Sequence, residues 1–319
     1  NDSRAADDTG LCGSASDIKD AKAIAAKFGV PHYLLDMRDL FSDTVQKSFV
    51  QSYLSGRTPN PCVECNEIIK FGALLDAVKN HGINHIATGH YVRSCYDEKS
   101  GRWLLKKAIN ADGTSNAKDQ SYVLYRLSQE QLAASVFPLG EMTKDEIRRI
   151  AADSGLINSN KPDSQDICFV PDGDYAAFIR RHTGKEDVPG DFVDETGRVL
   201  GRHKGITHYT IGQRKGLGVS SNEPLYVKAI DPERNQVILS GNDALFSRQL
   251  TAGAFNWIAW DVPPRQFRCS AKARYRHPEQ PCQVTIREDG TVEVLFDQPQ
   301  RAITPGQAVV LYDGDIVLG

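Results

Sequence analysis

The sequence has no apolar run near the roughly 18 residues a membrane-crossing helix needs. Its opening stretch, Asn1 to Gly10, is polar where a secretory leader is apolar. No membrane partner is expected, and the cytosol is the expected compartment. Cysteine is sparse and odd in number, seven in 319 residues. That does not suit a complete disulfide framework and fits a reducing compartment, where thiols serve chemistry or packing. Net charge is also small: −3 at pH 7 and a pI near 6.3 argue against coating nucleic acid through an overall field. There is no internal repeat and no low-complexity tract. At 40 % hydrophobic and 25 % charged, the composition excludes fibrous and disordered classes and leaves chain enough for two or three cores.

Acid is missing locally. Thr196 to Asn222 holds no Asp or Glu but carries Arg198, Arg202, Lys204, Arg214 and Lys215 with His203 and His208. Val262 to Pro278 is likewise acid-free and carries Arg265, Arg268, Lys272, Arg274 and Arg276 around Tyr275. Such runs suit phosphate contacts, although a solvated basic face has the same composition.

Along the chain, Ser16 is placed to cap a helix whose apolar positions Ala21, Ile24, Ala25 and Phe28 share a face, with Gly29 as its stop. A short strand is expected at His32–Leu35. Asn60 as N-cap and Pro61 at the first helical position open a helix through Ile68, Phe71, Leu75 and Val78 to Gly82. Ile83–Thr88 reads as a buried strand breaking at Gly89-His90, and Trp103–Ala108 as another strand. Thr143-Lys144-Asp145-Glu146 is a capping box for a helix closed by Gly155. Strands alternating with helices imply an α/β parallel sheet with helices on its faces and ligands at the strands' carboxyl ends, where Gly89 and His90 fall. After about Pro171 turn residues recur. Near the end Val284 and Ile286, the Asp289-Gly290 turn, then Val292, Val294 and Phe296 alternate as a hairpin. The expected organisation is a catalytic domain over 1–171, a small central domain over 172–242 and an antiparallel β-barrel over 243–319.

The strongest local signal is Cys62-Val63-Glu64-Cys65, two thiols three apart in the first turns of a helix. Unpaired N–H groups there favour thiolate, so a nucleophile is reasonable, and so is a packed pair. Cys62, Cys65, His81 and His85 also fit a loose Cys2His2 zinc spacing. Gly82 separates the two histidines and strand follows, whereas a finger carries both on one helix, so no metal site is expected. Cys168 ends a polar turn, Asp163 to Asp166, entering an apolar stretch. Cys12, Cys95, Cys269 and Cys282 lack any signature and read as structural.

Several stretches stand out together: Gly56-Arg57-Thr58-Pro59-Asn60-Pro61-Cys62-Val63-Glu64-Cys65-Asn66, Ala87-Thr88-Gly89-His90-Tyr91, Lys118-Asp119-Gln120-Ser121-Tyr122 and Asp166-Ile167-Cys168-Phe169. Farther on come Tyr209 to Gly218, Ala273-Arg274-Tyr275-Arg276 and Thr304-Pro305-Gly306-Gln307. In this order they resemble the tRNA-specific 2-thiouridylase (MnmA) family. The resemblance implies a PP-loop ATP-pyrophosphatase domain with the adenine-nucleotide α-hydrolase-like sheet. It would use ATP, with Mg2+, to adenylate the C2 oxygen of the tRNA wobble uridine before sulfur replaces it. It puts the persulfide on Cys168 and the partner nucleophile on Cys65. It assigns target-base contact to Asn60, Pro61 and Cys62, and tRNA contact to His90, Lys118, Asp119, Gln120, Arg274, Tyr275 and Gln307. Gly89 would lie against adenosine. The implied partners are tRNA and a sulfur-donor protein carrying a persulfide, with the enzyme itself a monomer.

The sequence departs from the family at its start, where a Ser-Gly-Gly-x-Asp-Ser loop should cradle pyrophosphate. The nearest cluster, Thr9-Gly10-Leu11-Cys12-Gly13, lacks the Asp-Ser pairing. The expectation is an N-terminally truncated chain, inactive in ATP activation and poorly stable for want of a central strand. Two alternatives are a PP-loop adenylating RNA-modification enzyme without sulfur transfer, and a zinc-stabilised RNA-binding protein without catalysis.

Overall fold

The computed structural model describes residues 15–159 and 167–319. The Thr9–Gly13 cluster with Cys12, and residues 163–166 of the turn before Cys168, lie outside them. The first described helix, Ala15–Phe28, takes Ser16 inside it instead of using Ser16 as its cap. Its last turn meets the Lys144–Asp153 helix, where Lys27 Nζ donates to the carbonyls of Ser154 at 2.5 Å and Gly155 at 2.7 Å. A cation thus satisfies carbonyls left open at a helix C-terminus. That second helix begins with the expected box: Thr143 accepts from the Glu146 N–H, and Glu146 from the Thr143 N–H.

Residues His32–Leu35 form no strand. Tyr33 and Leu34 are 78 % and 66 % exposed, and no described segment pairs with their backbone, without which an extended segment has no ladder to join. The Ile83–Thr88 strand contracts to β1 (Ile86–Ala87), which pairs in parallel with β4 (Ser135–Val136). Between them the chain makes the hairpin β2 (Val92–Asp97) and β3 (Arg102–Lys107). The expected Trp103–Ala108 strand is therefore real but antiparallel, and it belongs elsewhere.

That elsewhere is the C-terminal sheet, ordered β2-β3-β14-β13-β10-β11-β12-β9. It comprises β9 (Phe246–Ala252), β10 (Gln266–Lys272), β11 (Gln280–Ile286), β12 (Val292–Arg301), β13 (Val310–Asp313) and β14 (Ile316–Val317). Val284 faces Val294 and Ile286 faces Val292 across the hairpin, with Gly290 at φ 81° in its turn. The alternating residues enter one core with Cys282, Phe296 and Leu311. Cys269 and Cys282 oppose each other in register, with sulfurs 3.7 Å apart. The hairpin is fastened to this sheet by Ile316 opposite Lys106 and by Arg93 on Asp315 at 2.6 Å.

The middle of the chain carries the Tyr175–Thr183 helix and a smaller sheet ordered β6-β5-β8-β7: β5 (Gly190–Val193), β6 (Val199–His203), β7 (Tyr226–Asp231) and β8 (Gln236–Ser240). Its core gathers Phe192, Tyr209, Val227, Val237 and Leu239. No helix among the described residues is long and apolar enough to cross a membrane.

Candidate active site

Asn60 leaves the extended region with its side chain accepting from the Cys62 N–H at 3.2 Å, and Pro61 follows it as expected. The helix then runs through Pro61–Glu64, a π-helical segment Cys65–Ala73, and Leu74–Lys79. Cys62 is exposed and Cys65 half-buried. Glu64 is tethered by the Ser48 hydroxyl at 2.7 Å.

Cys65 packs on an apolar cluster built from Val45, Phe49, Val50, Tyr53, Phe169 and Ile179, and Cys168 packs on the same cluster. Phe169, next to Cys168, is the anchor: its ring meets Phe49 edge-on at 5.2 Å, Phe41 at 5.5 Å and Phe178 at 5.1 Å. Interlocked aromatic edges of this kind hold a backbone segment in place. One core thus positions two half-buried cysteines from distant parts of the sequence.

Gly89 follows β1 at its carboxyl end. A Cβ there would meet only Leu139, at 3.6 Å, among the described residues. His90 is 8 % exposed; its Nδ1 lies 2.9 Å from the Thr88 hydroxyl and its ring 5.7 Å from Phe71. Burial, with the Lys70 charge nearby, lowers its pKa to about 4, so it is neutral at physiological pH.

Lys118, Asp119 and Gln120 part company. Lys118 is exposed. Asp119 turns inward, accepting from the Ala108 N–H at 2.9 Å and the Ser121 hydroxyl at 2.6 Å; burial raises its pKa, against those bonds. Gln120 exchanges hydrogen bonds with Tyr91, its side chain accepting from the Tyr91 N–H and its own N–H donating to the Tyr91 carbonyl, both at 2.9 Å. Asp119 and Gln120 shape the loop that presents Lys118.

From the C-terminal sheet, Tyr275 is 39 % exposed and stands 5.8 Å from the Tyr122 ring. Burial pushes its hydroxyl pKa up, with the Asp119 carboxylate and the Cys62 thiol adding to it. Tyr275 sits against Tyr122, two residues past Gln120 of the Lys118 loop. Arg274 reaches the Ile211 carbonyl at 3.0 Å and also the Thr304 hydroxyl, and burial lowers its pKa. Gln307 donates to the Thr58 carbonyl at 2.8 Å. Thr58 and Gly306, which meet there, stand in the family motifs but carried no expected role, although Pro305-Gly306 is a recognisable turn signal.

Three family models match in tandem: a tRNA methyl transferase HUP domain over residues 1–172, a tRNA methyl transferase PRC-barrel domain over 176–241 and an aminomethyltransferase beta-barrel domain over 247–319. A tRNA-specific 2-thiouridylase MnmA from Acetivibrio thermocellus is 47 % identical over 97 % of this chain and 85 % of its own length. One from Thermoanaerobacter sp. is 50 % identical over 97 % of this chain and 84 % of its own. One from Clostridioides difficile is 44 % identical, with 97 % and 84 % covered. The chain belongs to the tRNA-specific 2-thiouridylase family.

For a member of this family, the basic side chains of the acid-free runs include some paired with acids and others left exposed. Arg198, Arg202 and His208 pair with Asp194, Asp191 and Asp187, and Arg265 and Arg268 with Glu288 and Asp297. Lys204, Arg214, Lys215 and Arg276 stay exposed. The zinc spacing fails geometrically: from Cys62 to His81 the chain is almost wholly helical, which sets them about 28 Å apart along the axis. Among the described residues no three His, Cys, Asp or Glu side chains are grouped to hold a metal.

Proposed function

We propose that this chain is a tRNA-uridine 2-sulfurtransferase working through Cys65 and Cys168 on the wobble uridine, in the cytosol and as a monomer. The observation that carries the reading is the shared apolar cluster under the two cysteines, within a match to 2-thiouridylases over nearly the whole chain. ATP, with Mg2+, supplies the adenylate that turns the uridine C2 oxygen into a leaving group. Gly89, exposed at a strand end with a Cβ position that would touch only the Leu139 side chain at 3.6 Å among the described residues, suits the approach of a flat purine.

The uridine must leave its stack to be reached. Tyr275, partly exposed, provides an aromatic face for it, while Lys118 and the exposed cations of the acid-free runs meet phosphates. A donor protein loads sulfane sulfur on Cys168. Its terminal sulfur attacks C2, and AMP leaves with the oxygen. The Cys65 thiolate then attacks the Cys168 sulfur, so the C2 sulfur departs with the electron pair of the broken S–S bond and a Cys65–Cys168 disulfide forms. External thiols reduce that disulfide for the next cycle.

The test is 2-thiouridine formation by the full-length protein with single substitutions. Cys65→Ser and Cys168→Ser should each abolish it, and Cys95→Ser, on β2 of the hairpin, should leave it intact. 2-Thiouridine that still forms in both Cys65→Ser and Cys168→Ser would refute relay through this cysteine pair, whereas an adenylating enzyme that delivers nitrogen would form no 2-thiouridine even in the parent protein.

A further inference from the structure

The loop Gly56–Asn60, which hands Asn60 and Cys62 to the substrate, is wedged between the other two parts of the molecule. On one side Gly56, at φ +69°, lies so close to β7 that a Cβ would stand 3.2 Å from the Ile230 side chain and 3.3 Å from its carbonyl. On the other side the Thr58 N–H donates to the Pro305 carbonyl at 2.9 Å, and Gln307 returns a bond to the Thr58 carbonyl at 2.8 Å. Both backbone groups of one residue are therefore held by one turn. Gly306 sits between those bonds at φ +93°, where a Cβ would come within 2.9 Å of Thr58 N and O. Only glycine permits that approach.

The holding turn is itself fixed. Thr304 is 4 % exposed, bonds the Ala302 carbonyl, and receives Arg274, whose guanidinium also reaches Ile211 in the central domain. The Ala308 carbonyl takes the Tyr122 hydroxyl at 2.8 Å.

We propose that the Thr304–Gln307 turn of the C-terminal barrel is a positioning clamp for the base-binding loop, with Gly306 and Gln307 setting Thr58, and through it Asn60 and Cys62, at the reacting geometry. The barrel then contributes to the sulfur-transfer rate and not only to tRNA affinity, and Gln307 acts on the protein's own backbone. This rests on the thiolation reading for its kinetic consequence, but the clamp itself is a backbone arrangement that needs no substrate to be observed.

The experiment uses full-length Gln307→Ala and Gly306→Ala proteins. Amide exchange of the Thr58 peptide is measured without substrate, and single-turnover 2-thiouridine formation and tRNA affinity are measured with it. Exchange at Thr58 should quicken by about tenfold with the melting temperature nearly kept in Gln307→Ala. The single-turnover rate at saturating tRNA should fall by about tenfold to a hundredfold, the scale of misplaced reacting groups, with tRNA affinity little changed. Weakened tRNA binding with an undiminished saturating rate would overturn the proposal and make Gln307 an RNA contact. Unchanged exchange at Thr58 in Gln307→Ala would overturn the clamp whatever the activity. Should Gly306→Ala fail to fold, Gln307→Ala decides both points alone, and an inactive parent protein would count against the thiolation reading while leaving the exchange result standing.

Discussion

His90 makes the structure's clearest commitment about pH. Its ring is 8 % exposed, packed by Phe71 and bonded to Thr88, and its pKa falls from 6.5 to about 4, with burial the first cause and the Lys70 charge the second. In the unfolded chain the same imidazole protonates near pH 6.5. Between those values the unfolded state binds the extra proton, so the stability His90 protects is fully present above pH 6.5 and is lost as the pH falls toward 4. At about 1.4 kcal/mol per pKa unit, the full effect is about 3 kcal/mol, of which about 2.5 kcal/mol is lost by pH 4.5. The comparison is urea unfolding of the parent and His90→Asn at pH 7.5 and pH 4.5. Asn keeps a polar atom near Nδ1 for Thr88 and removes the titration, while carboxylates such as Asp119 contribute equally to both proteins and cancel. The parent should lose about 2.5 kcal/mol more than the variant over that interval. Equal losses would show that the ring is charged or solvated in the native protein and would refute its assignment as a neutral, buried group.

Two further substitutions test the scaffold. Phe49→Ala removes a fully buried ring that contacts Tyr53, Phe169, Tyr175 and Phe178, so denaturant titration should show a loss of about 3–5 kcal/mol and faster alkylation of Cys168, whose neighbour Phe169 loses its anchor. Thr143→Ala removes one half of the capping box on the Lys144–Asp153 helix and should cost about 1 kcal/mol without touching sulfur transfer.

Local chemistry was the legible part of this molecule. Asn60 and Pro61 announced a helix start because capping is written in adjacent residues, and the same holds for the Thr143 box and the Asp289-Gly290 turn. The Val284–Phe296 alternation announced its hairpin, whose register only the structure supplies. What eluded the sequence was partnership. Trp103–Ala108 had strand composition, but nothing local says that its ladder lies in the C-terminal sheet instead of beside β1. His32–Leu35 looked like a strand on its apolar residues alone, and pairing, which decides the matter, is a long-range property. At the candidate site, the family motifs named the residues but left open what each side chain touches. Asp119, Gln120 and Gln307 are polar residues of the sort expected on RNA, yet their side chains hold backbone groups. The common cluster beneath Cys65 and Cys168 had no local signature, since it depends on Phe49 and Phe169 meeting in three dimensions.

The seam between β3 and β14 has a bearing on biogenesis. Arg93 and Asp315, which flank it, are 222 positions apart, so a hairpin made early leaves the ribosome with one edge open and waits for a partner synthesised much later. Nascent protein is exposed to wrong pairings throughout that interval. Trimming only the few residues around Ile316 should reopen the same edge in the finished molecule, making a distant strand the guardian of a hairpin from the other half of the sequence.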